Sequence, residues 1–501
     1  LRVNSSSAVA VEQGRDGMAL FTFEELREVI SVKVLGSQEV GREKRQINQI
    51  STDSRAIRPG DLFVALKGER FDGHDFVPAV LAGGAAGAIV HDQYRLPDGI
   101  VGGKAARGRP VPILLGVRDT LFAYQQLATH HRSRFDIPIV AVTGSNGKTT
   151  TKDMVASVLA QRWKVLKTEG NFNNRIGVPA TILRLTSRHE AAVVEMGVDQ
   201  QGQTTRLCEI VRPTIGVITN IGPDHLEFFG SMEGSAQAKA ELLDFLPADG
   251  AAILNADDVY FDYLAARARC RVVSFGFTDK ADVRAVHVKT DVRRGTMFRL
   301  LLPGKVRHTI VQMKVHGMHN VTNALAAAAV GVVLNLPGAV IAQGLARFRP
   351  AAMRSQVVTH HGVHIINDCY NANPASMQAA IQLLAQWTPA RERIAVLGDM
   401  LELGGETQRM HRDVGRFLAG QNISRLIVAG SLGREIAEGA RQGGMASTRI
   451  AETVDAAAAA ESLKTIVQQG DVVLVKASRG MKMEQVVQTV MGLRAIAKQA
   501  S

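Results

Sequence analysis

Cysteine is scarce in this chain. Among 501 residues there are only three cysteines, Cys208, Cys270 and Cys369. They share no metal-ligand spacing, and an odd, scattered set in so long a chain argues against a disulfide framework and fits a reducing cytoplasm. Aromatic residues make up 5% of the sequence, too few for the stacking platform of a single-strand nucleic-acid binder. Charge of one sign never gathers into a long run. The net charge of +12, from 59 Lys and Arg against 47 Asp and Glu, is spread along the chain and suits polyanionic small molecules as well as nucleic acid. A long apolar run is missing too. The longest uncharged stretch, Asn320 to Ala346, could span a bilayer by length. Asn320, Thr322, Asn323, Asn335, Pro337 and Gln343 interrupt it, so two Ala-rich packed helices, broken near Asn335 to Gly338, are expected instead. The first 17 residues lack the charged-then-apolar order of a secretion signal. Met18 is a candidate start, with the residues before it a tag or a mis-called extension.

What is present is a globular composition. Apolar residues are 46% and charged residues 21%, and this length predicts about two to four domains. Up to about residue 116 the texture is of short strands, such as Leu62 to Leu66 and Gly87 to Val90, punctuated by Gly and Pro. Val101 to Pro112 reads as a loop. From Thr120 an amphipathic helix runs to Arg134. Short continuous apolar runs then follow at Ile137 to Val142, Ala191 to Val194, Ile215 to Thr219 and Ala251 to Leu254. Such runs mark parallel strands buried on both faces. The texture repeats beyond Arg349, with strands at Val363 to Ile366, Ile394 to Leu397, Leu426 to Val428 and Val472 to Val475. The fold class expected is α/β, with a central parallel-sheet domain and a second doubly wound domain after it. The expected divisions are residues 18–116, 117–348 and 349–501.

The sharpest motif is Thr143-Gly144-Ser145-Asn146-Gly147-Lys148-Thr149-Thr150. It follows a buried strand and opens a helix from Thr151 to Gln161. Backbone N–H groups and a helix N-terminus there hold phosphate oxygens. Lys148 reaches the outer phosphates, and the Thr149 hydroxyl ligates magnesium. Val142 stands where a full Walker A motif has its first Gly, so this is a shortened form, G-x-x-G-K-T-T. Glu195 ends the next buried strand and suits the magnesium. Asp224 and His225 follow the strand after that, on the same rim. The blander readings are a solvated Glu195 and a polar loop histidine.

These segments, together with Lys239-Ala240-Glu241 and Gly317 to Ala326, resemble the Mur ligases, ATP-dependent amide-forming enzymes that build the cell-wall peptide. The resemblance runs from about residue 20 to the end. Asp368-Cys369-Tyr370-Asn371-Ala372-Asn373-Pro374-Ala375-Ser376-Met377, Gly398 to Gly404 and Asn171 to Pro179 are similar to the branch of the family that adds D-alanyl-D-alanine. Asp53-Ser54-Arg55 and Phe71-Asp72-Gly73-His74 are similar to the family's UDP-binding domain. One departure stands at Ala477, where glycine would be expected.

The resemblance implies three domains: an α/β UDP-binding domain, a central P-loop mononucleotide-binding domain and a C-terminal Rossmann-like domain that closes over ATP. The joining segment near Phe348-Arg349-Pro350 is the expected hinge. It implies a cytoplasmic monomer acting in peptidoglycan synthesis, and hence in cell shape and division. Its substrates would be UDP-N-acetylmuramoyl-tripeptide, with diaminopimelate or lysine as third residue, and D-alanyl-D-alanine. Gly144 to Thr150 would hold the nucleotide phosphates, Asn320 adenine, Asp368 the ribose and Arg354 the γ-phosphate. Thr149 and Glu195 would hold one magnesium. His225 and Lys239, the latter carbamylated, would hold a second. Lys148, His225 and Lys239 are thus the catalytic candidates. Ser54, Arg55, Asn173, Asn174, Asn371, Asn373 and Ser376 are the candidates for substrate contact. The blander readings remain open: Lys239 as a surface lysine on a helix from Ser235 to Leu246, Arg354 as a surface ion pair, and Asn373 with Pro374 as a helix start. A ligase for diaminopimelate, glutamate or folate γ-glutamate, or a nucleic-acid ATPase, are the rival readings. The segment from Asp368 and the N-terminal domain speak against the first. The lack of a basic stripe with aromatics speaks against the second.

Overall fold

The computed structural model describes residues 20–35, 46–69, 71–95, 111–291, 294–305 and 307–493. The candidate start at Met18, the residues before it and most of the loop from Val101 lie outside the described residues. The chain forms two compact units. One comprises the described residues up to Asp136 together with Arg175–His189, and the other Ile137–Asn174 with Glu190 onward.

In the first unit, strands Ile50–Ser51, Leu62–Val64, Gly87–His91 and Ile113–Val117 pair in parallel in that order. Lys33–Leu35 adds an antiparallel edge beside the last. Phe63, Ala65, Val77, Val80, Ala88 and Val90 form its core. The Phe71 to His74 segment is a turn held by chemistry. Asp72 accepts from the His74 amide at 3.0 Å and from its Nδ1 at 2.6 Å, and His74 Nε2 accepts from the His91 amide at 2.9 Å. Those two contacts fix the imidazole tautomer with its proton on Nδ1. Helix Thr120–Arg132, capped by Asp119, packs here with helix Gly177–Ile182. Gln125 Nε2 donates to Arg175 O at 3.0 Å, and His131 Nε2 lies 2.9 Å from Leu185 O.

In the second unit, Val165–Lys167, Ala191–Glu195, Ile139–Thr143, Ile215–Ile218, Ala251–Asn255, Arg271–Gly276 and Val283–Asp291 lie side by side in parallel. The four apolar runs expected as buried strands are all among them. Gly295–Leu301 and Thr309–Met313 then extend the sheet antiparallel, a feature the sequence reading did not anticipate. Buried and exposed positions alternate along the first of them, because only one face is covered: Phe298 and Leu300 are buried while Met297 and Arg299 face out. A register shift between Val286 and Lys289 breaks the alternation further. The uncharged stretch forms two helices, Met318–Val333 and Gly338–Arg347. The first is buried nearly all round in the core, which is why it reads like a membrane span. No described helix is long and apolar enough to cross a membrane.

A second sheet in this unit has the order Gln356–His360, Val363–Asp368, Val472–Lys476, Arg393–Gly398, Arg425–Ala429 and Ile450–Thr453, parallel except for its first strand. Apolar clusters cover both faces. The departure at Ala477 has a local counterpart. Ala477 is buried, and a Cβ added at Gly398 would lie 2.8 Å from its methyl, so glycine faces alanine across the sheet end.

Small residues let the helices of the first sheet approach closely. Helix Gly338–Arg347 crosses helix Lys148–Leu159 at Gly344, where a Cβ would stand 2.5 Å from Val158 Cα, and Ser157 Oγ donates to Gly344 O at 2.7 Å. Glycine to alanine in a helix interior normally stabilises by roughly 0.5–1 kcal/mol. Here Gly344→Ala should instead destabilise by about 1–3 kcal/mol through overpacking, read as a lowered denaturation midpoint. A raised midpoint would show that the crossing tolerates a methyl.

Candidate active site

The phosphate loop is built from the end of strand Ile139–Thr143 and the start of helix Lys148–Leu159. Gly144 (φ 134°) and Gly147 (φ 79°) hold backbone conformations that favour glycine. Crowding adds to this, since a Cβ would lie 2.1 Å from Thr219 Oγ1 at Gly144 and 2.3 Å from Asn323 Oδ1 at Gly147. The loop is braced from the neighbouring strand end. Asn220 Oδ1 accepts from the Asn146 amide at 2.9 Å, while Asn220 Nδ2 and Thr219 Oγ1 donate to Asn146 O at 3.0 and 2.6 Å. Lys148 folds back over its own loop, donating to Gly144 O at 2.5 Å and Ser145 O at 3.1 Å.

Two buried carboxylates stand beside the loop. Glu195 is 1% exposed, not a solvated turn residue. Its Oε1 accepts from Thr149 Oγ1 at 3.0 Å and Asn173 Nδ2 at 2.9 Å, while Oε2 has no hydrogen-bond partner. Asp224 Oδ1 accepts from Ser145 Oγ at 2.6 Å, Lys239 Nζ at 3.0 Å and Ser235 Oγ at 3.3 Å, and its Oδ2 is again without a partner. Burial opposes the Asp224 charge, but the Lys239 and Lys148 ammonium groups and the hydrogen bonds outweigh it and hold the carboxyl below the usual range.

Lys239 is 1% exposed on helix Met232–Asp244, which overturns the surface-lysine reading. Its Nζ donates to Ser235 Oγ at 2.6 Å, one turn back, and sits 4.6 Å over the Phe229 ring. Burial pushes its pKa down to about 8 against the attraction of Asp224. His225, in the left-handed region at φ 50°, precedes the short helix Leu226–Phe229. Its Nδ1 lies 2.6 Å from Glu402 Oε2.

The second sheet presents another cluster. Asp368 and Lys476 are register partners at the ends of adjacent strands. Lys476 Nζ donates to Asp368 Oδ2 at 2.6 Å and to Asn371 O at 2.9 Å, and the Ser355 amide donates to Asp368 Oδ1 at 2.8 Å. Burial works against the Asp368 charge, yet Lys476 and these hydrogen bonds hold its pKa low. Arg354 stacks on Tyr370, its guanidinium carbon 3.9 Å from the ring centroid, rather than joining a surface ion pair. Asn320 Nδ2 donates to His316 O at 2.8 Å. Asn373 does begin a helix, Pro374–Gln386, in a reciprocal cap with Ser376. It also reaches the phosphate loop, its Nδ2 donating to Asn146 Oδ1 at 2.8 Å.

The remaining substrate candidates are more dispersed. Asn173 faces Glu195, while the Asn174 and Asn371 residues are exposed. Ser54 and Arg55 belong to the first unit, where Arg55 makes a two-pronged, exposed pair with Asp53. The sequence reading missed Thr219, Asn220 and Asn323 behind the loop, and Lys152, Ser235, Glu402 and Lys476 around the charges. Only Lys152 and Ser235 carried a signal, each four residues from a candidate lysine on one helix.

Among the described residues, no three His, Cys, Asp or Glu side chains converge as a metal cage. A hydroxyl and one carboxylate whose second oxygen accepts no hydrogen bond do suit magnesium, which takes few protein ligands and keeps phosphate oxygens and water.

A braced phosphate loop on a parallel sheet, joined through Asn373 to a second α/β sheet, defines a nucleotide-dependent α/β enzyme. Three family descriptions match in order: "Mur ligase family, catalytic domain" at residues 46–130, "Mur ligase middle domain" at 142–331 and "Mur ligase, glutamate ligase domain" at 353–479. The UDP-N-acetylmuramoyl-tripeptide–D-alanyl-D-alanine ligase of Bacillus subtilis is 37% identical over 450 residues, covering 89% of this chain and 93% of that protein. The crystal structure of MurF from Acinetobacter baumannii superposes with a TM-score of 0.83 at 32% identity, covering 94% of this chain and 99% of that one. MurF from Thermotoga maritima, solved with ADP, gives 0.75 at 28% identity over 88% and 97% of the two chains. The chain belongs to the Mur ligase family.

The Asp368 carboxylate yields a signed prediction. Its depressed pKa contributes stability that is present above the ordinary aspartate value of 3.8 and is lost as pH falls through the folded value. Asp368→Asn should therefore cost about 1–3 kcal/mol at neutral pH, and the deficit should shrink below about pH 4. Urea denaturation at several pH values measures it; a pH-independent deficit would exclude the ion pair as its cause.

Proposed function

We propose that this chain joins the amine of D-alanyl-D-alanine to the terminal carboxylate of UDP-N-acetylmuramoyl-tripeptide, cleaving ATP to ADP and phosphate. The observation that carries the reading is the phosphate loop flanked by two buried, half-partnered carboxylates, Glu195 and Asp224, with Lys239 buried beside the second. The names of the curated relatives and solved neighbours supply the substrates. The proposed divisions are 18–116 for the UDP-sugar, 117–348 for ATP and 349–501 for closure about Phe348-Arg349-Pro350. The enzyme is proposed to act as a cytoplasmic monomer.

The chemistry explains the charge pattern. A carboxylate does not yield an amide directly, because oxide is a poor leaving group. A carboxylate oxygen instead attacks the γ-phosphorus, the bond to ADP breaks, and an acyl phosphate forms. The neutral amine then attacks the acyl carbon, and phosphate leaves as the amine proton is lost. The first step brings two anions together and the second builds negative charge on the tetrahedral oxygen beside a phosphate, so fixed dipoles and cations must face both.

The loop amides and Lys148 suit the β- and γ-phosphates, with Lys148 turning from its own carbonyls to the nucleotide. Arg354, stacked on Tyr370, is assigned as a clamp on the γ-phosphate. Asn320 is assigned to adenine and Asp368 to the ribose. Thr149 and Glu195 would hold one magnesium, and His225 with a carbamate on Lys239 a second; magnesium supplies charge neutralisation on the transferring phosphoryl oxygens. A buried amine with a lowered pKa is suited to adding CO2, forming an N–C bond and releasing a proton. Ser54 and Arg55 are assigned to the UDP-sugar. Asn173, Asn174, Asn371, Asn373 and Ser376 are assigned to the peptide substrates. Closure must exclude water, which would hydrolyse the acyl phosphate.

Phosphate release from ATP should require both UDP-N-acetylmuramoyl-tripeptide and D-alanyl-D-alanine, with one amide formed per phosphate. Release supported by another amine would overturn the acceptor assignment. Lys148→Met should lower turnover by about 10²–10³-fold. Supplied with 13C-bicarbonate, the protein should show a carbamate carbon signal that Lys239→Met lacks. An identical spectrum from both would remove the carbamate.

A further inference from the structure

Three lysines are buried among the described residues, Lys152, Lys239 and Lys476; Lys239 carries the proposed carbamate and Lys476 pairs with Asp368, while Lys152 has no part in the account above. It lies one turn beyond Lys148 and three residues after Thr149, so Thr149 and Lys152 share a helix face. That face meets Glu195. Thr149 Oγ1 donates to Oε1 at 3.0 Å, and Lys152 Nζ stands 3.6 Å from the otherwise unpartnered Oε2. Thr168 touches both residues: its carbonyl accepts from Lys152 Nζ at 2.9 Å, and its Oγ1 accepts from the Glu195 backbone amide at 3.0 Å. Asp153 Oδ1 is 3.5 Å from Lys152 Nζ but is held more closely by Lys167, at 2.6 Å.

A buried ammonium and a buried carboxylate each require a counter-charge. We infer that Lys152 is the resident counter-ion of Glu195 and makes divalent-cation binding at this carboxylate dependent on nucleotide. The inference rests on the reading that Thr149 and Glu195 face magnesium. Without nucleotide, an incoming dication meets a carboxylate already neutralised and a fixed ammonium that repels it. With nucleotide, the phosphate oxygens supply the missing negative charge and the cation enters with them. Lys152 stays on Thr168 throughout. It acts on Glu195 and is a positioning residue, not a catalytic one. Free magnesium is thereby kept from settling in the loop ahead of ATP.

The test is a manganese titration of the full chain followed by electron paramagnetic resonance, with and without ADP, a readout independent of turnover. Wild type should bind Mn2+ weakly alone and more tightly with ADP. Lys152→Met should bind Mn2+ alone more tightly than wild type by about tenfold or more, and the ADP dependence should narrow. Unchanged or weaker nucleotide-free binding in Lys152→Met overturns the inference. Lys152→Gln, which keeps a donor for the Thr168 carbonyl, gives the same reading if Lys152→Met does not fold. Glu195→Gln separates the two levels. Unaltered Mn2+ binding with ADP in Glu195→Gln removes the metal assignment itself. Loss in that variant, with no gain in Lys152→Met, removes only the counter-ion role.

Discussion

The clamp on Asn146 is the interaction on which the rest of the site depends. A phosphate loop that keeps the amides at its helix end open for a ligand needs partners from behind for the rest of its backbone. Asn220 and Thr219 supply them for Asn146, and Asn220 also accepts the Asn146 amide. These braces come from the end of strand Ile215–Ile218, the immediate parallel neighbour of the strand that feeds the loop. Thr143 pairs with Ile218 in that register, so the loop and its brace leave the sheet at the same level. The Asn146 side chain completes the link, accepting from Asn373 at the cap of helix Pro374–Gln386, which packs on the second sheet.

Charge around this loop is arranged as pairs that are each incomplete. Glu195 has Thr149 and Asn173 on one oxygen and only Lys152, at 3.6 Å, near the other. Asp224 has Ser145 and Lys239 on one oxygen and nothing on the other. Leaving buried carboxylate oxygens without hydrogen bonds costs stability. The proposed cation binding would offset that cost. Asp368 differs. Lys476 and Ser355 partner both of its oxygens, which suits a group that orients a neutral ligand.

Much of this was legible in the chain. The buried runs, the Gly-Lys-Thr-Thr turn between strand and helix, and Glu195 at a strand end all follow from local pattern, because a parallel strand buried on both faces leaves a continuous apolar signature. The Ala-rich helix pair was legible for the same reason. The antiparallel extension was not, since its alternation is short, mixed apolar and polar on the open face and broken by an irregular register. Lys239 was legible only by resemblance. A lysine preceded by serine one turn back has no distinctive pattern, and its burial depends on Asp224, fifteen residues earlier.

The sequence by itself determined the α/β class, the phosphate loop, the carboxylate at the strand end and the family to which these belong, because each is written in contiguous residues. Only the tertiary structure decided which groups face one another: Asn146 with Asn373, Glu195 with Lys152, Asp224 with Lys239, Asp368 with Lys476. Those pairings are set by strand order and register and by the facing of helices, and a desolvated charge is partnered by whatever the fold brings within reach, not by its neighbour in the chain.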